Sequence, residues 1–208
     1  MQARQAASCA TALAGLSGLI QLIDVLPHPG KADPATDARV LQAMKSIWRS
    51  IRPAAKLTSS LKAQKALLES IRLARAVSVG LEPGPAQALG EAIDASFSGP
   101  RGAGAALMFG PVLGFNIEAT EARYAQYARA LSPAACGTSA PAAAESFVNA
   151  MQDLVAALPV PQRLGDLGCR RWQVETLASR ALGGQPLLVN RPREIRHEDA
   201  VLLYLSAL

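Results

Sequence analysis

The stretch 84-GPAQALGEAIDASFSGPRG-102, continued by 105-AALMFGPVLGFN-116, decides the fold. Pro85 suits the first turn of a helix, where a missing amide costs little. Gln87 and Glu91 stand four apart on that helix, so both project from one face. Arg101 follows in a Pro100-Arg101-Gly102 turn, fourteen positions after Gln87. The glycine-rich piece 98-SGPRGAGAAL-107 is a weak match to a phosphate-binding loop, because it lacks the Gly-Lys-Ser/Thr ending and no strand precedes it.

Outward from this stretch, helix follows helix and no strand series is legible. Val40, Met44, Ile47, Trp48 and Ile51 repeat on one helical face, and Pro53 ends that helix soon afterwards. A second amphipathic segment runs from about Leu57 to Val77, with Leu61, Leu67, Leu68 and Ile71 available to the core. Ala119 to Leu131 forms a further helix carrying Tyr124 and Tyr127. Ser139 caps the next, whose apolar stripe is Phe147, Val148, Met151, Leu154, Val155 and Leu158. The segment 159-PVPQRLGDLG-168 is a loop or short turn. Helices from about Arg171 to Leu182 and from His197 to Leu208, separated by a turn around Pro192, complete an all-α bundle occupying 1-208 as one domain.

The order of these pieces resembles the helical carboxyl-terminal domain of the iron-containing alcohol dehydrogenases, within the dehydroquinate synthase-like superfamily, and especially the maleylacetate reductase branch. In that family a helix carries His-x-x-x-His, and a Pro-His-Gly turn supplies another histidine fourteen positions after the first. Gln87, Glu91 and Arg101 occupy those three positions here. The segments 33-DPATDARVLQAMKSI-47, 162-QRLGDLG-168 and 190-NRPREIRHEDAVLLYLSAL-208 resemble further family segments, so the similarity covers nearly the whole chain. The helix that supplies a carboxylate and a histidine to the family's metal corresponds to 10-ATALAGLSGLIQL-22, which contains neither residue type. The family's nucleotide-binding α/β domain, with its Gly-Gly-Gly-Ser loop, has no counterpart in this sequence.

Coordination chemistry turns these replacements into expectations. Divalent iron or zinc needs imidazole, thiolate or carboxylate donors converging on a point, and an arginine, always protonated, has no lone pair to give. Neither a metal nor a dinucleotide cofactor is therefore expected. Arg101 is expected either to form a bidentate pair with Glu91 or to clamp an anionic small molecule that Gln87 and Glu91 orient.

Composition agrees with one compact domain. The chain has 208 residues, half of them hydrophobic and only 4% aromatic, so its core must come mainly from Leu, Ala, Val and Ile. Cys9, Cys136 and Cys169 show neither zinc spacing nor a secreted-type framework, which points to a reducing cytoplasm. His28 and His197 lie outside the resembling site, as surface or capping residues. The basic start at Arg4 and the apolar run to Leu26 imitate a secretory signal, but Gln21 and Asp24 interrupt the run and no small-residue cleavage site follows. The run is also expected to be too short and interrupted for a membrane span, so a buried first helix is the expectation. Lys45, Arg49, Arg52, Lys56, Lys62, Lys65, Arg72 and Arg75 form a basic stretch in which Glu69 is the only acid between Met44 and Val77. Without a recognisable motif or interleaved aromatics it is a solvated face, and nucleic acid is not the expected partner.

Three functions follow from different classes. The first is a degenerate helical domain acting as a subunit with a protein partner or as a homo-oligomer, its unpaired face left apolar. The second is a metal-free enzyme in which Glu91 is the acid or base and Arg101 holds the substrate's anion. The third is an NAD(P)-dependent alcohol dehydrogenase or maleylacetate reductase completed by a separate nucleotide-binding subunit.

Overall fold

The computed structural model describes residues 1–25, 34–79, 83–183 and 192–208. His28 lies outside the described residues, as does the beginning of the segment that starts at Asn190. The described chain folds into α1 (Gln2–Val25), α2 (Pro34–Ala54), α3 (Leu61–Ser78), α4 (Pro85–Asp94), α5 (Ala103–Leu131), α6 (Ala140–Ala156), α7 (Val174–Gly183) and α8 (His197–Ser206). Short 3-10 turns occur at Pro133–Gly137, Leu164–Leu167 and Arg171–Gln173, and the described residues contain no strand.

Helix α5 organises the bundle. It packs along α6 and α4 and also touches α1, α2 and α8, while α2 and α3 form a neighbouring pair that α1 crosses. Tyr124 and Tyr127 on α5 sit 5.2 and 5.4 Å, centroid to centroid, from Phe147 on α6. This aromatic knot is compact enough for one phenyl ring to serve two partners in tilted contact. Arg123 ties α5 to α2 through a bidentate pair with Asp37, at 3.0 Å from Nη1 and 2.6 Å from Nη2. The Tyr204 hydroxyl donates to the Leu89 carbonyl at 2.8 Å and so pins α8 onto α4.

Several elements begin or end elsewhere than their sequence suggests. The helix expected from Ala119 starts at Ala103 and runs 29 residues through Pro111. Of the glycines that obscure its period, Gly104 and Gly110 mark close approaches to Gly90 and Gln152, whereas Gly114 is open to solvent. Helix α3 begins at Leu61, four residues later than Leu57, because the Ser60 side chain accepts the Ala63 amide at 3.2 Å and caps it. Leu61 and Leu68 do not enter the core but are 75% and 48% exposed. The buried positions of α3 are Leu67, Ser70, Ala74 and Ser78, mostly small residues that let it lie close against α1 and α2. Ser139 does cap α6, accepting the Ala142 amide.

Helix α1 also departs from expectation. It is 24 residues long and, by length and composition, apolar enough to cross a membrane. In the bundle its Leu13, Leu16, Leu19, Ile20, Leu22 and Ile23 are nevertheless packed away from solvent, as the buried first helix of the sequence reading requires.

Candidate functional site

Three elements meet around Gln87, Glu91 and Arg101. Helix α4 starts with Pro85 in its first turn after Gly84 and carries Gln87 half-buried and Glu91 exposed, with Ala86, Leu89, Gly90 and Ile93 turned inward. The Pro100-Arg101-Gly102 turn follows and reverses the chain into α5. Its geometry is set by Asp94, whose two carboxylate oxygens accept the amides of Gly102 and Gly104, each at 2.8 Å. Gly102 takes φ 86°, a left-handed conformation that glycine adopts without steric cost.

The α4–α5 crossing is closer than any side chain permits. A Cβ on Gly90 would lie 2.2 Å from the Ala105 amide nitrogen, and one on Gly104 2.1 Å from the Gly90 carbonyl oxygen. Two glycines thus hold the helix bearing Glu91 against the turn bearing Arg101.

The resulting cavity, of about 570 Å³, is walled on one side by α1, through Leu13, Ser17 and Gln21, and on the other by α4 and the turn. All three residues singled out from the sequence line it. The expected bidentate pair does not form: among the described residues neither the Glu91 nor the Arg101 side chain has a hydrogen bond or ion pair of its own. Both are exposed at the cavity mouth, where solvation competes with a direct contact.

Two residues of the site escape a reading of the sequence alone. Arg75, on α3, adds a second arginine to the wall, although in the sequence it belongs to the basic stretch that reads as a solvated face. Asp24 interrupts the apolar run of α1 because it has a task. Its Oδ2 accepts the Ala86 amide at 2.8 Å and the Gln87 amide at 3.4 Å, capping α4 from a different helix. Gly84 has no side chain to do so, and its absent Cβ makes room for Asp24, which such an atom would meet at 2.3 Å. Burial pushes the Asp24 carboxyl up to about 7, against the two amide bonds that pull it down. The only signal in the sequence was a lone acid in an apolar helix.

The donor set does not suit iron or zinc. No group of three or more His, Cys, Asp or Glu gathers anywhere among the described residues. In the cavity the carboxylates are Glu91 and Asp94, the latter committed to backbone amides, and two guanidinium groups face the same space. Repulsion from those fixed charges opposes a dication. What the walls can do is hold an anion between Arg75 and Arg101 while Gln87 offers an amide and Glu91 an acceptor. His197, elsewhere, is an exposed residue of the first turn of α8 whose Nε2 lies 2.9 Å from Glu175.

The sequence profile described as "Fe-containing alcohol dehydrogenase family, C-terminal" matches residues 11–208. The chain belongs to that family. It is 28% identical over 197 residues to the 1,3-propanediol dehydrogenase of Citrobacter freundii, covering 95% of this chain and 50% of that protein. Among solved structures, an alcohol dehydrogenase from Oenococcus oeni superposes with a TM-score of 0.84 at 26% identity, over 95% of this chain and 51% of the other. A maleylacetate reductase from a Rhizobium species shares the fold, with a TM-score of 0.73 at 16% identity over 96% of this chain and 53% of its own. This iron-containing alcohol dehydrogenase domain thus spans about half the length of the relatives it matches. Gln87, Glu91 and Arg101, the residues that the resemblance sets against the family's histidine pattern, line the cavity between α1, α4 and the turn.

Proposed function

We propose that this chain is a metal-free helical domain of the iron-containing alcohol dehydrogenase family that binds a small carboxylate or phosphate anion and works as a subunit with a protein partner. One observation carries the reading: two guanidinium groups, Arg75 and Arg101, face a cavity in which no trio of metal donors is assembled. Arg101 puts a fixed positive charge where a metal donor is expected, which favours an anion, whereas the Glu91 carboxylate is an acceptor that can only take a hydrogen bond from the ligand. Glu91 and Gln87 orient the ligand by accepting or donating hydrogen bonds at its uncharged end.

The partner follows from surface and length. Leu61, Leu68, Ile71 and Arg75 recur at helical spacing along one face of α3. The exposed leucines share that face with Lys65 and Arg72 and form a mixed apolar and basic ledge leading to the cavity wall that Ile71 and Arg75 supply. Such a ledge is the kind of surface another protein covers. The relatives carry about as much chain again as the portion matched here, which supports a domain that operates beside further protein. A cytoplasmic location, expected from three cysteines without a disulfide framework, fits this reading.

Native mass spectrometry with metal analysis tests the proposal. We expect no stoichiometric iron or zinc, a homo-oligomer or heterocomplex, and retention of an added dicarboxylate such as malonate that Arg101→Gln abolishes. Stoichiometric metal, a bound nicotinamide cofactor or an obligate monomer indifferent to anions would overturn it.

A further inference from the structure

A second basic concavity lies on the other side of α3. Residues 34–79 contain nine Lys and Arg against Asp37 and Glu69, seven positive charges net, which exceeds the +5 of the whole chain. That excess is concentrated on the α2–α3 pair. Between the two helices runs an open groove of about 640 Å³, lined by Lys45 and Arg49 from α2 and Lys62 from α3. This volume falls within the range of small-molecule sites, roughly 300–1,000 Å³.

Three features separate this groove from an ordinary solvated face. First, its cations come from two helices and converge on one concavity, so a single ligand can touch both walls. Second, no carboxylate lines it. Asp37 is taken by Arg123, and Glu69 pairs with Arg72 at 2.9 Å outside the groove. Among the described residues the side chains of Lys45, Arg49 and Lys62 have no hydrogen bond or ion pair of their own. By contrast, Arg52 one turn on is held over the Trp48 ring at 4.6 Å and is not part of the lining. Third, the floor is rigid and already satisfied. Ser46 and Ser70 hydroxyls meet at 2.7 Å, Ser50 donates to the Ser46 carbonyl and Ser70 to the Ala66 carbonyl, each at 2.7 Å. The hydroxyls fasten α2 to α3 and leave recognition to the three cations.

We infer that the α2–α3 groove binds a small polyanion carrying at least two phosphate groups, held by Lys45 and Arg49 on one wall and Lys62 on the other. One phosphate lies against each wall. Lys and Arg both serve phosphate, Lys as a point charge and Arg through its fork. Recognition by unpaired surface cations makes the binding strongly salt-dependent. The site is separate from the cavity of Arg75 and Arg101 and does not rest on the function proposed for it.

The test titrates inorganic pyrophosphate into the full chain at low ionic strength, by calorimetry and by amide chemical shifts. The comparison proteins are Lys45→Gln/Arg49→Gln/Lys62→Gln, Arg101→Gln, and Lys65→Gln on the outer face of α3, each checked for helical content. We expect saturable binding with shifts confined to α2 and α3. The triple variant should weaken it by about tenfold or more, since each lost charge-assisted contact contributes measurably, and Lys65→Gln should leave it intact. Absence of binding, equal binding by the triple variant, or loss in Arg101→Gln alone would overturn the inference, the last by placing the anion in the other cavity. Binding of a single-stranded oligonucleotide without any of pyrophosphate would overturn it too, in favour of a nucleic-acid surface.

Discussion

The Asp24 carboxylate of α1 accepts the Ala86 amide of α4 across 62 residues of sequence, at 2.8 Å, and so fixes the start of the helix that carries Gln87 and Glu91. This contact makes the domain's stability depend on pH. In an unfolded chain an aspartate ionises at about 3.9, whereas burial pushes Asp24 up to about 7 in the fold. Between those values the folded state holds a proton that the unfolded state has released. The Asp24 contribution is therefore full below the unfolded value and is lost as pH rises through about 7. Urea unfolding between pH 5 and pH 8 should show stability falling by an amount on the order of a few kcal/mol. Asp24→Asn, which keeps an acceptor for Ala86 but cannot ionise, should flatten the slope; equal slopes in both proteins would contradict this.

Removing the acceptor altogether is a different perturbation. Asp24→Ala strips α4 of its cap and leaves the Ala86 amide buried without a partner, which should cost about 1–2 kcal/mol. The loss should persist at pH 5, unlike the ionisation effect, and thermal unfolding at that pH separates the two.

The α4–α5 crossing tolerates no added atom. Gly90→Ala drives its Cβ into α5 backbone, so we expect a loss of at least about 1–3 kcal/mol, the cost of overpacking a close interface. Gly114→Ala, at an exposed helical glycine with nothing within 4 Å of where a Cβ would lie, should instead gain up to about 1 kcal/mol. Denaturation midpoints of the two variants should move in opposite directions.

The pair between Arg123 and Asp37 predicts strong non-additivity. The Arg123 side chain is 1% exposed, and Asp37→Asn removes the carboxylate that it grips in bidentate fashion, at a cost of about 3–5 kcal/mol. Asp37→Asn/Arg123→Met, which removes both charges, should recover a large part of that loss. A double-mutant cycle by chemical denaturation gives the coupling directly, and additive effects would refute it.

Restoring imidazoles should restore metal affinity. Gln87→His/Glu91→His places two ligands at i and i+4 on α4, a spacing that suits zinc, and Arg101→His supplies a third from the turn. The triple variant should carry stoichiometric zinc in native mass spectrometry where the parent carries none.

The sequence was a good guide where one period dominates. The apolar stripe of α2 and the Pro85 start of α4 are local signals, and Gln87, Glu91 and Arg101, singled out by the resemblance, line one cavity. It was a poor guide where the deciding partner is distant. Leu61 and Leu68 have the apolar character of core residues, yet the neighbours of α3 admit only its small-residue face. Pro111 and three nearby glycines hid the first half of α5, because the neighbours that make room for Gly104 and Gly110 lie on α4 and α6. Asp24 and Arg75 belong to the site through contacts between helices that no local pattern encodes.

The Gly90–Gly104 contact has a mechanical consequence. With backbone pressed on backbone and Asp94 stapling the turn, α4 and α5 translate as a single stiff body. The backbone at Glu91 and at Arg101 is held at one spacing, and the cavity opens only where α1 and α3 wall it. A ligand seated there would report its presence by levering α1, and with it Asp24, away from the start of α4.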